Sequence, residues 1–179
     1  MTEGRGWLRA CAPVEIVSFS RAIDRSGFSC GKPDLDAWLK QHAGHQERSN
    51  NTRTFLAVDP QSDGVLGYYA TTTYRLELGE VARLHGSPRR RYPIPAVLLA
   101  RLAVDERSAG RGVGRQLLVH ALRGFVTASR QVGFEMVVVH AFDVDAVTFY
   151  TTHGFTPFAD NPMHLFLTTK ELRATFDGL

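Results

Sequence analysis

The stretch that decides the fold runs from Arg101 to Leu122, RLAVDERSAGRGVGRQLLVHAL. An apolar strand enters a glycine-rich turn and leaves it as an amphipathic helix. Gly110, Gly112 and Gly114 let successive backbone N–H groups face one ligand with no Cβ in the way. The helix that begins near Val113 adds the partial positive charge of its N-terminus, so the turn reads as a phosphate cradle. An ordinary tight strand-to-helix turn uses the same glycines, and the turn alone does not separate the two readings. A dinucleotide site wants such a turn after the first strand and an acidic residue about twenty positions on. Here the turn lies mid-chain and no acid follows it until Glu135, which sets that use aside.

Downstream, His140 to Phe155 reads HAFDVDAVTFYTTHGF and follows a second apolar strand, Met136 to Val139. In order and spacing the two segments together resemble the acetyl-CoA-binding core of the GNAT N-acetyltransferase superfamily. The resemblance implies that Gly110, Gly112, Val113 and Gly114 hold the CoA pyrophosphate. It also implies that the strand end Leu102, Ala103, Val104 pairs with the pantetheine amides and the acetyl carbonyl. Tyr150, just before the closing Gly154-Phe155, falls where the family commonly has its general acid. A phenol with an ordinary pKa of about 10 is protonated at neutral pH and can donate to the departing thiolate. Packing against the pantetheine arm is the alternative role for Tyr150. Its neighbour Phe149 is placed with the cofactor-binding residues, core packing being the other use. Ala109 stands where the family usually carries Gln or Arg, and Arg107, Arg111 and Arg115 are near enough in sequence to contact phosphate instead. No general base is visible: His140 ends a strand beside the presumed cleft, where a lone histidine is more often structural.

The rest of the composition fits one folded domain spanning 1–179. The chain has 44% hydrophobic residues, which argues against disorder, and a net charge of +3. That charge is unevenly spread. Between Val81 and Val104 lie Arg83, Arg89, Arg90, Arg91 and Arg101 with no acid among them, a local anion-binding stretch whose bland alternative is a solvated face. Cys11 and Cys30 have no metal-like spacing, no metal site is expected, and one pair cannot argue a disulfide framework. No apolar run has signal-peptide or membrane-spanning length, so a cytoplasmic protein is expected.

Hydrophobic patterning places the remaining elements. Val14 to Phe19 reads as a first strand; Pro33-Asp34 opens a helix with Asp34 as N-cap and Leu35, Trp38, Leu39 and His42 at helical spacing. Thr54 to Val58 and Val65 to Leu78 form a hairpin of strands rich in β-formers. After a polar connection from Gly79 to Pro95 come a central strand (Ala96 to Val104), a helix (Gly112 to Ser129) and a strand (Glu135 to Ala141). A helix (Val144 to His153) and a last strand (Leu165 to Thr169) complete the order. Strands alternating with helices after a hairpin predict an α/β fold: a mixed, mostly antiparallel sheet with helices on both faces.

Over nearly the whole chain, Phe28 to Leu172, further segments sharpen the resemblance. They are Phe28-Ser29-Cys30-Gly31, Leu35-Asp36-Ala37-Trp38-Leu39, Arg53-Thr54-Phe55, Gly67-Tyr68-Tyr69-Ala70, Pro93-Ile94-Pro95, Arg101 to Asp105 and Asn161-Pro162-Met163. These look like the acetyltransferase toxins of bacterial toxin–antitoxin modules. That group acetylates the α-amino group of aminoacyl-tRNA and is neutralised by a ribbon-helix-helix antitoxin. The resemblance thus implies acetyl-CoA as co-substrate and charged tRNA as acceptor, with Arg83, Arg89, Arg90 and Arg91 on the RNA backbone. A homodimer stays open. Two other readings remain: an N-acetyltransferase of a small amine or a protein N-terminus, and a CoA- or nucleic-acid-binding regulatory module without turnover. Tyr150 and the glycine turn speak against the last, and the unbalanced arginines speak against a small-amine pocket.

Overall fold

The computed structural model describes residues 14–61, 64–77 and 92–176. Its strands are β1 (Glu15–Ser18), β2 (Arg53–Val58), β3 (Val65–Leu76), β4 (Ile94–Val104), β5 (Met136–His140), β6 (Thr156–Pro157) and β7 (His164–Thr168). They form one sheet in the order β1-β2-β3-β4-β5-β7-β6. Only the β4–β5 pair is parallel. Helix α1 spans 33–48 and is interrupted by a π-helical segment at Trp38–His42; α2 is Val113–Ser129, α3 Val144–Thr152 and α4 Thr169–Phe176. This is the α/β architecture that the alternating pattern predicts.

Alternation along the strands sorts the core onto two faces. On one, Leu99, Val137 and Val139 meet Leu117, Leu118, Ala121 and Leu122 of α2 and Leu172 of α4. On the other, Trp38, Leu39 and Ala43 of α1 cover Leu56, Tyr68, Ala70 and Ala103, and the same face continues across β5 as Leu76, Ala96, Met136 and Val138. Close contact on the α2 side requires Gly67: a Cβ there would lie 2.8 Å from both the Ala103 carbonyl oxygen and Leu117 Cδ1. β4 carries one irregularity. Ala70 pairs with Arg101 but Thr71 pairs with Leu99, leaving Ala100 as an extra residue. The bulge puts Arg101 on the α1 side, its guanidinium 4.3 Å over the Trp38 ring.

Several expected ends shift. α1 has Lys32, not Asp34, at its N-cap, with no side-chain cap. Pro33 fills the first helical position, where its missing N–H costs nothing, and Asp36 accepts from Cys30 N at 2.8 Å. β4 starts at Ile94 rather than Ala96, because Pro95 pairs opposite Arg75 and its carbonyl accepts from Glu135 N (2.8 Å). The short strand β6, the final helix α4 and a helical turn at Glu106–Ser108 have no counterpart in the sequence reading. Cys11 lies outside the described residues, and Cys30 is a free thiol pushed up to about 11 by burial and Asp36.

Candidate active site

The site begins where two parallel strands part. β4 and β5 pair from Ala96 with Met136 to Leu99 with Val139, and no further. β5 ends at His140, whereas β4 runs on to Val104 held by β3 alone. Along Leu102, Ala103 and Val104 the edge toward β5 therefore has no strand partner among the described residues. An extended ligand with amide groups can pair there as an added strand would.

Beyond Val104 the chain enters the glycine turn. Gly110 (φ +72°) and Gly112 (φ +76°) adopt the left-handed conformation, which disfavours side chains. A Cβ on Gly110 would meet nothing within 4 Å, so that side of the turn is open. Gly112 is the N-cap of α2 and offers no side-chain cap, which leaves the first N–H groups of a 17-residue helix for a ligand. The neighbouring α3 differs: Asp143 caps it by accepting from Ala146 N at 2.9 Å and also pairs with Lys32. Of the two helix starts, only that of α2 is arranged for an external anion.

Gly114 serves packing rather than φ. A Cβ there would lie 3.3 Å from Val104 Cγ2 and 3.9 Å from both Leu102 Cδ2 and Phe149 Cε2. Turn, strand edge and α3 thus converge on one glycine. Tyr150, the next residue on α3, is 6% exposed, its ring edge-on to Phe149 (5.3 Å) and Phe155 (5.5 Å). Burial pushes its phenol well above the usual tyrosine value, so it stays protonated at neutral pH. Among the described residues no hydrogen bond engages the hydroxyl.

The arginines separate. Arg107, expected at a phosphate, instead holds both oxygens of Asp105 (2.8 and 2.9 Å) and reaches the Gly27 carbonyl (3.2 Å). Arg111 and Ala109 are exposed in the turn, and Arg115 is half-buried in the first turn of α2. Arg83, Arg89, Arg90 and Arg91 lie outside the described residues.

Asp105 is a residue the sequence reading missed. Its carboxylate, 1% exposed, also accepts from the N–H groups of Ser29 (3.1 Å) and Arg107 (2.9 Å). The Arg107 guanidinium and these N–H groups hold it down at about 2. Glu106 N donates to Ser29 O (2.9 Å), so the segment before α1 is strapped to the β4–α2 corner. Partners 76 residues apart leave no local sequence signal for such a strap. Among the described residues no group of three or more His, Cys, Asp or Glu could hold a metal, and no helix is long and apolar enough to cross a membrane.

Comparison with known proteins places this geometry. Residues 50–157 match the acetyltransferase (GNAT) domain family. A tRNA-acetylating toxin of Mycobacterium tuberculosis (strain ATCC 25618 / H37Rv) is 36% identical over 160 residues, covering 87% of this chain and 92% of the relative. Among solved structures, AtaT complexed with acetyl-methionyl-tRNAfMet superposes with a TM-score of 0.82 at 30% identity, covering 92% of this chain and 99% of that one. A tyrosine-to-phenylalanine mutant of the AtaT toxin, bound to the C-terminus of the antitoxin AtaR and acetyl-CoA, gives 0.77 at 30% identity, covering 91% and 98%.

Proposed function

The chain belongs to the GNAT acetyltransferase family, and on that premise we propose that it is an acetyl-CoA-dependent N-acetyltransferase acting on the α-amino group of aminoacyl-tRNA. Such a modification blocks peptide-bond formation, so the protein is a toxin of translation in the cytoplasm, neutralised by an antitoxin of the ribbon-helix-helix kind. The observation that carries this reading is the uncapped glycine turn of α2 beside the unpartnered edge of β4. Its support in substrate class comes from the relative bound to acetyl-methionyl-tRNAfMet.

Residues 110–115 hold the pyrophosphate through backbone N–H groups, with Arg111 and Arg115 adding charge and Ala109 giving the turn room. Leu102 to Val104 align the pantetheine arm so that the thioester lies in the gap between β4 and β5. Phe149 walls that gap and Tyr150 gives a proton to the departing sulfur. Because its phenol is held above the ordinary value, it acts first as a hydrogen-bond donor and yields its proton only as the thiolate forms. Arg83, Arg89, Arg90 and Arg91 contact the RNA backbone.

The test is transfer of label from acetyl-CoA to charged tRNA, uncharged tRNA and a polyamine in parallel. Label on the charged form alone supports the assignment. Comparable labelling of the polyamine with none on charged tRNA transfers the reading to a small-amine enzyme.

A further inference from the structure

β5 and α3 carry two candidate functional groups on opposite faces of the sheet. Tyr150 lies in the cluster with Val137 and Val139 on the α2 face. Val138 belongs to the other face, and alternation puts His140, the last residue of β5, there beside it. On that face a cleft of about 80 Å³ is lined by Tyr74, Val138, His140, Phe158, Asp160 and His164, among others. The His140 ring stacks on His164 with centroids 3.9 Å apart and planes 21° apart, and Tyr74 meets His140 edge-on at 5.6 Å.

The chemistry needs such a group. An α-amino group has an ordinary pKa of about 8 and is largely ammonium at neutral pH, without the lone pair that attack requires. With the proton donor for sulfur on the α2 face, the amine has the opposite face for its approach to the thioester. His140 stands there one residue past the last β4–β5 pair.

We propose that this cleft receives the aminoacyl end of the acceptor and that the His140–His164 pair takes the proton of its ammonium. The inference rests on the tRNA-acetylating reading above. The ammonium proton passes to His140, and the freed lone pair forms the C–N bond at the acetyl carbon. The C–S bond breaks with its electron pair on sulfur. Sulfur takes the Tyr150 proton, the nitrogen's remaining surplus proton restores the phenol, and the imidazolium releases its own to water. Among the described residues, Tyr74 from β3, Asp160 from the β6–β7 connection and His164 from β7 are the titratable groups sharing the cleft with His140.

His140 is exposed, so the fold should tolerate its replacement. Initial rates of transfer to charged tRNA are measured across neutral and alkaline pH for the wild type, His140→Gln and His164→Gln, with thermal shift by acetyl-CoA as a second readout. For His140→Gln, kcat/KM falls about 10²-fold near neutral pH. The deficit shrinks as pH rises and the amine loses its own proton, and the acetyl-CoA shift is unchanged. His164→Gln shows a smaller loss with a displaced profile. Rates and pH profiles like the wild type's in both variants overturn the inference and leave the tRNA reading standing. A His140→Gln chain that no longer responds to acetyl-CoA marks His140 as structural and also overturns it. If the wild type itself transfers nothing to charged tRNA, the substrate reading fails first and the inference with it.

Discussion

Gly114 and Phe149 lie side by side where α2 and α3 converge past the end of β4: a Cβ on the glycine would stand 3.9 Å from Phe149 Cε2 and only 3.3 Å from Val104 Cγ2. The glycine turn, the Leu102–Val104 edge and the helix of Tyr150 are therefore spaced by one missing side chain. Gly114→Val must push these parts apart. It should destabilise the protein by about 1–3 kcal/mol, the usual range for overpacking, and weaken acetyl-CoA binding about tenfold or more, read by denaturant midpoint and calorimetry. Wild-type affinity in a folded variant would show that the turn and the strand edge do not act as one site.

Gly112→Glu brings a side chain to φ +76° and a negative charge to the start of α2. The fold should survive and the acetyl-CoA thermal shift should vanish. Retention of the shift argues that the pyrophosphate lies elsewhere.

Tyr150→Phe preserves the ring contacts with Phe149 and Phe155 while removing the proton. Turnover should drop about 10²-fold with little change in acetyl-CoA affinity, a loss confined to the transition state. Because burial raises the phenol, the wild-type rate should show no alkaline decline at the ordinary tyrosine value. A decline centred near pH 10 would mean that Tyr150 titrates as a solvated phenol.

Asp105 links acidity to stability. Its folded value is about 2 against an ordinary 3.8. The stabilisation is therefore present above the unfolded value and lost as pH falls from about 4 to about 2. Arg107 is largely exposed, which trims the gain to about 1–2 kcal/mol at neutral pH. Asp105→Asn should lose that amount in urea unfolding at pH 7 and show a flatter acid limb. An acid limb as steep as the wild type's would assign it to other carboxylates.

Arg89, Arg90 and Arg91 changed together to Ala should weaken binding to all tRNAs alike and flatten the salt dependence of binding, since phosphate contacts carry no sequence information. Acetyl-CoA affinity should stay at the wild-type level. Expression of this variant should arrest growth far less than the parent. An unchanged salt slope would remove these arginines from the RNA interface.

The parts of the fold legible in sequence are those whose cause is local. Glycines at 110 and 112 announce the turn, strict β-formers announce β3, and an apolar run of four announces β5. Tyr150 stands out as a candidate because its place follows from counting back from Gly154-Phe155. What stayed hidden depends on side-chain contacts that the local pattern does not show. Arg107 looked like a phosphate ligand until Asp105, two residues away, took its guanidinium. His140 looked solitary because His164, which stacks on it, sits on β7 across a helix and a loop. α4 is short, and its one fully buried residue, Leu172, gives no period to read.

Ala100 makes β4 a strand with a phase step. Before it, Leu98 and Ala96 share a face; after it, Arg101 and Ala103 take over that face, and Leu102 and Val104 turn toward α2. Without the step, the same chain would aim Arg101 into the apolar layer under α2 and swing Leu102 and Val104 away from Gly114. The Leu102–Val104 edge is thus kept in phase with the core by a single supernumerary residue. Loss or gain of one position between 94 and 104 would invert the side-chain parity of everything beyond it. Single-residue insertions or deletions that leave the protein working must fall outside that interval.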